Sequence, residues 1–262
     1  MLGSMAHATE RIGLVTGVTC PAFRYHPAII AQAAATVQIL SDGRFTLGVG
    51  SGERLSEHII GREFPGVHKR QAVFREALEI IKLLWQGGYQ NYDGRFLQLE
   101  DARIFDLPDQ LPVMAVAAGC PAAARIGAEI GDGLFATEPK SELTEAYASA
   151  GGSGPKFAEV PLAWAPDEDT AAQAVLETTR WALTGWKVMS ELPNPVNFEA
   201  ASATVRPDDI REQMVTGPDP QRYREGIEEY EKAGYDHIVL MNCGPDPDGF
   251  LDFVAKEIRP AC

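Results

Sequence analysis

The sequence predicts an α/β protein built on a parallel sheet, and the alternation of its segments is the main reason. Short apolar runs alternate with longer stretches in which apolar residues recur at helical spacing, as strand–helix units do. This order suits either an open doubly wound sheet or a closed (β/α)₈ barrel. We count six strands where a barrel needs eight, and residues 2–12 form a predicted helix that leads directly into a strand. We therefore predict a TIM (β/α)₈-type barrel that lacks its first two strands.

Short apolar runs mark the strands. A run of this kind is typical of a strand that is buried on both faces of a parallel sheet. The predicted strands are residues 12–18, 45–49, 113–117, 133–136, 158–164 and 237–241. A separate hairpin is predicted over residues 89–99, because Asp93-Gly94 is a strong signal for a tight turn between two strands.

Apolar spacing and end signals mark the helices between these strands. The clearest helix is 68–85, in which the apolar side chains fall on one face and Gly87-Gly88 ends the helix. Helix 26–40 begins at Pro27, a residue favoured in a first turn, and stops at Ser41-Asp42-Gly43. The other predicted helices are 2–12, 121–130, 141–150, 167–183, 220–233 and 249–258.

The composition is that of a folded, acidic protein. The chain has 262 residues, of which 45% are apolar and 23% charged, and its formal net charge is −14. This charge argues against binding to nucleic acid or to an anionic membrane surface, because both need a basic face. No apolar run is long enough to span a bilayer, and residues 1–20 lack the continuous apolar segment of a signal peptide. We therefore expect a cytoplasmic protein.

The length fits one large domain or two small ones, and we expect a single barrel domain over residues 1–262. Several prolines make residues 184–217 less regular, and we expect an insertion there. The four cysteines lie far apart and fit neither a zinc site nor a disulfide framework. No histidine has metal-ligand spacing, and no Ser–His–Asp or Cys–His pairing is readable. We expect reduced thiols and no metal.

Three loops rich in small residues follow predicted strands, at the strand ends where βα folds bind ligands. They are residues 17–21 (GVTCP), residues 48–53 (GVGSGE) and residues 117–121 (AAGCP). Glycines let the backbone amides approach a phosphate or a planar ring, and Pro121 begins a helix whose first amides attract anions. Each loop alone also fits an ordinary tight turn or close packing. Together they favour a phosphorylated cofactor, although no dinucleotide or Walker motif is present.

One acidic residue stands in these loops. Glu53 follows the glycines of the second loop, at the expected mouth of the barrel, where a carboxyl can act as a general acid or base. The alternative is a solvated loop glutamate without a chemical role.

The loops also carry a family resemblance. Residues 8–36, 43–59, 94–133 and the segment from 217 to the end resemble the luciferase-like monooxygenase superfamily. Within it, the chain resembles oxidoreductases that use coenzyme F420, a deazaflavin, and act on a sugar phosphate. The GVTCP, GVGSGE and AAG-P motifs are specific as a set. The resemblance implies the (α/β)₈ barrel and reversible hydride transfer between a substrate carbon and F420.

The resemblance also implies roles for individual residues. Gly17 and Val18 match the backbone bulge, often a cis peptide, that lies against the deazaflavin ring. Glu53 matches the acid that assists at this ring. The other positions that match the cofactor site are Cys20, Ser51, Gly52, Ser56, Ala117, Ala118, Gly119, Cys120 and Pro121. The family's catalytic histidine and tryptophan match a segment that would precede residue 1, so we expect the chain as written to show weak turnover or none.

The sequence does not identify the substrate. Lys140 and Lys187 match lysines that hold the phosphate of a sugar phosphate, but Gln213 replaces the arginine that is the third contact. We therefore expect a small organic substrate of unknown identity. One alternative is an FMN-dependent monooxygenase of the same superfamily. Another is a cofactor-binding remnant without turnover, whose open sheet edge a partner chain would cover. We expect a homodimer.

Overall fold

The computed structural model describes residues 1–259, which form two compact units. Unit 1 comprises Met1–Phe135 and Glu142–Lys156, and unit 2 comprises Ala136–Ser141 and residues 157–259. The expectation of a single domain over residues 1–262 stays a prediction. Cys120, Cys20 and Cys243 carry free thiols, and Cys262 lies outside the described residues.

Unit 1 is built on parallel strands with helices between them. Its elements are α1 (Leu2–Ala8), β1 (Leu14–Val15), α2 (Pro27–Leu40), β2 (Phe45–Val49), α3 (Arg54–Glu57), α4 (Val67–Leu84), β3 (Gln90–Asp93), β4 (Gln98–Ala102), β5 (Val113–Ala117), α5 (Pro121–Glu129), β6 (Gly133–Ala136) and α6 (Ser141–Ser149). The predicted bounds of β2, β5 and β6 agree with the structure. The predicted hairpin is confirmed as the antiparallel pair β3–β4.

The four parallel strands of unit 1 lie in the order β1, β2, β5 and β6. Their register pairs Leu14 with Phe45, Leu47 with Met114 and Ala115 with Gly133. Because all four strands run the same way, their carboxyl ends lie along one edge. The three loops singled out in the sequence follow β1, β2 and β5, so they share that edge.

Helix α4 covers the sheet of unit 1. Its buried face includes Phe74, Leu78 and Ile81, and these side chains pack in one core cluster with Leu47 and Met114. The helix is also fixed at its far end, where Lys82 Nζ donates to Asp132 Oδ1 at 2.6 Å. Burial of this apolar stripe is the main reason that the helix forms where the sequence predicts it.

Unit 2 also has parallel strands. Its elements are β7 (Lys156–Ala163), α7 (Glu168–Thr178), α8 (Trp186–Met189), α9 (Pro195–Ala201), α10 (Pro207–Gln213), β8 (Val215–Thr216), α11 (Pro220–Lys232), β9 (His237–Asn242) and α12 (Pro247–Phe253). Strand β7 pairs with β8 through Leu162 and Val215, and with β9 along most of its length. Tyr223, Phe250 and Phe253 pack on Leu162 in the core of this unit.

The structure corrects the sequence prediction at several places. Residues 184–217 are not irregular, because they hold the three short helices α8, α9 and α10 and the strand β8. Strand β8 has two residues, too few for an apolar run, so the sequence count of six parallel strands is one short for residues 1–259. Strand β1 is shorter than predicted, and the predicted helix 167–183 breaks after Thr178. No helix within residues 1–259 has both the length and the apolar composition that a membrane span requires.

Candidate functional site

The loop that follows β1 crosses the end of β2 and is bonded to it by the backbone. Thr19 N donates to Gly48 O at 2.8 Å, and Gly50 N donates back to Thr19 O at 2.9 Å. Thr16 Oγ1 also donates to Gly48 O at 2.8 Å. The peptide bond between Gly17 and Val18 in this loop is cis, as the family resemblance implies. The first two candidate loops therefore form one bonded structure.

Glycines make this close packing possible. A β-carbon on Gly48 would lie 1.9 Å from Thr16 O, and one on Gly50 would lie 2.7 Å from Val18 Cγ2. No side chain fits at either position without a shift of its neighbours. Val18 packs on Gly50 and still exposes 39% of its surface. An apolar side chain is thus presented at the carboxyl edge of the sheet.

Glu53 stands at the N-cap position of the short helix α3. It is half-buried, and Ser56 Oγ donates to its Oε1 at 3.1 Å. This hydrogen bond orients the carboxylate and joins two predicted site residues. Ser51 and Gly52 lie just before it on the same loop and are also half-buried.

A buried carboxylate beside the loops was missed by the sequence reasoning. Glu57 is 3% exposed and accepts a hydrogen bond from Arg24 N at 2.8 Å. It also interacts with the Cys20 thiol, whose pKa is raised to about 12 by burial and, to a smaller extent, by the charge of Glu57. Gly52 has φ +82°, and a β-carbon there would lie 2.7 Å from Cys20 Sγ. Cys20 is therefore a packing residue under the second loop. The only signal for Glu57 is its position four residues after Glu53.

The third loop leads from β5 into α5. Ala118 N donates to Phe135 O at 2.9 Å, which fixes the loop at the edge of the sheet. Cys120 is the N-cap residue, and its carbonyl accepts from Ala123 N at 3.1 Å and Ala124 N at 3.2 Å. Pro121 opens the helix, and Gly119 is exposed. Small side chains from Ala117 to Pro121 thus leave the start of the helix open to an anion.

The two predicted substrate lysines lie in unit 2. Lys140 Nζ donates to Glu138 Oε2 at 2.8 Å, so its charge is already paired. Lys187 lies on α8 and is exposed, and Gln213 ends α10 and is exposed. Within residues 1–259, no hydrogen bond or ion pair joins these three side chains to one another.

Metal ions in proteins are held mainly by His, Cys, Asp and Glu side chains. In the described part of the chain, no group of three His, Cys, Asp or Glu side chains lies close enough to hold an ion. The groups that the site offers to a ligand are its backbone amides, the apolar surface of Val18 and the Glu53 carboxylate.

Comparison with known proteins gives a consistent result. Residues 1–237 match the family model described as luciferase-like monooxygenase. A protein of Beutenbergia cavernae named F420-dependent glucose-6-phosphate dehydrogenase is 34% identical, over 99% of this chain and 81% of that protein. A protein of Nocardia farcinica with the same name is also 34% identical, over 99% of this chain and 81% of its own length.

Solved structures agree with the predicted fold. An F420-dependent secondary alcohol dehydrogenase in complex with an F420-acetone adduct has a TM-score of 0.90 and 25% identity, and the match covers 100% of this chain and 83% of that one. The F420-dependent tetrahydromethanopterin reductase of Methanopyrus kandleri has a TM-score of 0.80 at 23% identity, over 99% and 86%. These likenesses confirm the predicted fold class, the (β/α)₈-type barrel of luciferase-like proteins.

Proposed function

Because the chain belongs to the luciferase-like monooxygenase family, we propose that it is an oxidoreductase that transfers hydride between a small organic substrate and coenzyme F420. The curated relatives that cover most of the chain are named as F420-dependent dehydrogenases. The observation that carries the proposal is the bonded pair of loops after β1 and β2, in which glycines bring Val18 and Glu53 to the carboxyl edge of the sheet.

The residues of unit 1 fit a deazaflavin with a phosphate. The exposed surface of Val18 offers an apolar support for a planar ring. The small side chains of Ala117, Ala118 and Gly119 leave room for a phosphate at the first turn of α5, where backbone amides and the helix dipole favour negative charge. Such local donors are needed because a net charge of −14 repels an anionic cofactor at longer range.

Glu53 is proposed as the acid or base beside the ring. The cofactor supplies a ring carbon that accepts or donates hydride. Glu53 holds or takes up the proton that the ring system exchanges as its charge changes, and Ser56 Oγ keeps the carboxylate in one orientation. Ser51 and Gly52 precede Glu53 and are proposed to contact the cofactor through their backbone.

The substrate is proposed to be an unphosphorylated alcohol or the corresponding carbonyl compound. Lys140 is paired with Glu138, and Gln213 stands where the resemblance implies an arginine, so the phosphate contacts are weakened. The structural relative with a TM-score of 0.90 is named as a secondary alcohol dehydrogenase. The alternative is an FMN-dependent monooxygenase. Two structures named as monooxygenases are 22% and 15% identical to the chain, so they speak for the fold alone.

The cofactor proposal is tested by titration. We expect F420 to bind the parent protein more tightly than FMN, and Gly119→Val to weaken F420 binding at least tenfold, because its side chain obstructs the amides. The matched control is Gly66→Val, since a β-carbon on Gly66 meets no atom within 4 Å. If Gly119→Val and the parent bind F420 with equal affinity, the proposed phosphate site at the first turn of α5 is wrong. Tighter binding of FMN than of F420 would favour the alternative.

A homodimer and a location in the cytoplasm complete the proposal. The dimer is inferred from the open sheet edge expected in the sequence, and the location from cysteines that fit no disulfide framework. Neither rests on an observed interface. Light scattering during gel filtration tests the dimer, and a mass equal to one chain of 28.4 kDa would reject it.

A further inference from the structure

The loop after β6 holds a carboxylate next to its single cation. Lys140 is the only basic residue among residues 137–141, and its Nζ donates to Glu138 Oε2 at 2.8 Å. Lys140 N also donates to Glu138 O at 2.8 Å, so the backbone turns tightly at Pro139. The loop leaves the carboxyl end of a parallel strand, which is the end at which βα folds bind ligands. The charges of this ion pair therefore lie where a substrate is expected.

A buried tyrosine fixes the position of this loop. Tyr230 of α11 is 7% exposed, and its hydroxyl donates to Thr137 O at 3.1 Å. Burial raises the pKa of Tyr230 to about 12, and the charge of Glu138 contributes to the same shift. The negative charge of Glu138 thus acts on two sides of the loop, and the loop backbone keeps its position without a ligand.

The ion pair between Glu138 and Lys140 contributes little to stability. Its side chains are 46% and 44% exposed, and water screens a pair of this kind. The pair instead changes the charge that a ligand meets. Lys140 alone would attract an anion, whereas the pair has no net charge, in a protein whose net charge is −14. A substrate with a phosphate or a carboxylate must displace Glu138 from Lys140 or lie beside its negative charge.

We infer that Glu138 is a specificity-determining residue that excludes anionic substrates by occupying the ammonium group of Lys140, an inference that rests on the proposed function. A neutral alcohol loses nothing from this arrangement, because it needs no cation. An anion loses the attraction of Lys140 and is repelled by Glu138. The proposed preference for an unphosphorylated alcohol then depends on one side chain, and it extends to the exclusion of alcohols that carry a carboxylate.

Removal of the Glu138 charge should therefore create an anion site at Lys140. Glu138→Gln keeps the size of the side chain and an oxygen that accepts from Lys140, and it removes only the charge. At the distance of an ion pair in water, the repulsion between a carboxylate and a phosphate dianion corresponds to roughly a threefold to tenfold loss of affinity in dilute buffer, and salt reduces it. The variant should recover this factor.

The test titrates the F420-bound protein with propane-1,2-diol 1-phosphate and with propane-1,2-diol, which differ only in the phosphate. We expect Glu138→Gln to bind the phosphate ester roughly threefold to tenfold more tightly than the parent does, and to bind the diol with unchanged affinity. Glu138→Gln/Lys140→Gln should lose this gain, because the ester then has no cation to bind. The control is Glu228→Gln, which breaks an exposed ion pair with Lys232 on α11 and changes the net charge by the same amount. It should bind both compounds as the parent does.

Three results would overturn the inference. If Glu138→Gln binds the phosphate ester no more tightly than the parent, Glu138 does not exclude anions. If the double variant retains the gain, Lys140 is not the cation that Glu138 occupies. If Glu228→Gln shows the same gain, the cause is the net charge of the protein and not the ion pair.

Failure of the proposed function would give a different result. In that case the parent does not bind F420, whatever residue stands at position 138. The phosphate ester is then titrated into the cofactor-free parent and variants, and a gain that depends on both Glu138 and Lys140 would still show that the carboxylate blocks the cation.

Discussion

Val18 and Gly50 touch across the loops that follow β1 and β2, where a β-carbon on Gly50 would lie 2.7 Å from Val18 Cγ2. The contact is held by the backbone bonds between Thr19 and its neighbours on β2, so neither residue can retreat far. Val18 therefore keeps its exposed position only because residue 50 has no side chain. The shape of the proposed site for the ring therefore depends on Gly50.

Gly50→Ala tests this relationship. We expect a loss of about 1–3 kcal/mol in the free energy of unfolding, because an added methyl group overpacks a fixed contact, and weaker binding of F420 because Val18 is displaced. Urea unfolding and cofactor titration measure the two effects. Val18→Ala in the same chain should recover much of the lost stability, since it removes the γ-carbons that clash. Additive losses in the double variant would contradict the contact as described.

Glu53→Gln tests the proposed acid or base. The amide still accepts the hydrogen bond of Ser56 but exchanges no proton, so we expect F420 affinity to stay near that of the parent. The rate of hydride transfer with a secondary alcohol should fall about 10²–10⁴-fold. Glu63→Gln serves as the control, because Glu63 is exposed on the following loop. Stopped-flow absorbance of F420 gives the rate, and an unchanged rate would exclude Glu53 from the chemistry.

The Cys20 thiol provides a pH test of burial. Its pKa is raised from an ordinary 9.0 to about 12, first by burial and further by Glu57, so the folded state favours the neutral thiol. Its contribution to stability is present below pH 9 and is lost as the pH rises toward 12. In a chain with the other cysteines changed to serine, we expect alkylation of Cys20 in the folded protein to be slow at pH 8 and to rise at much higher pH.

Glu57→Gln sharpens that test. It removes the nearby negative charge but keeps an oxygen for Arg24 N, so the rise in alkylation should move to lower pH. It should stay above the pH at which the unfolded chain reacts, because burial is the larger cause. Alkylation of the folded parent at pH 8 as fast as in urea would show that the thiol is not buried.

Two ion pairs of unit 2 are expected to contribute different amounts to the free energy of unfolding. Arg222 donates to Glu168, and also to Thr216 O at 3.2 Å and Arg211 O at 3.0 Å, so its fork joins three chain segments. Arg222→Lys should cost about 1–2 kcal/mol in unfolding free energy, since an ammonium cannot reproduce these bonds. Lys232→Gln breaks an exposed pair on α11 and should cost less than about 0.5 kcal/mol. If urea unfolding shows that both variants lose the same free energy of unfolding, the Arg222 guanidinium does not have this structural role.

Local signals in the sequence determined much of this fold. Strands β2, β5 and β6 are short apolar runs, and buried strands of a parallel sheet need little beyond that composition. Helices that begin at Pro27 and Pro121 follow a preference of the first turn, which is decided within a few residues. The three small-residue loops could be predicted because the sequence itself shows both where an apolar run ends and where the glycines follow it.

Only the tertiary structure decided the remaining features. Strand β8 is two residues long and exists through its pairing with β7, a partner more than fifty residues away in the chain. Glu57 and Cys20 meet across two loops, and Glu76 holds a turn some twenty residues further on. These contacts depend on long-range proximity and desolvation, which no local pattern of residue types records. The buried carboxylate and the anchored hairpin turn therefore became visible only in three dimensions.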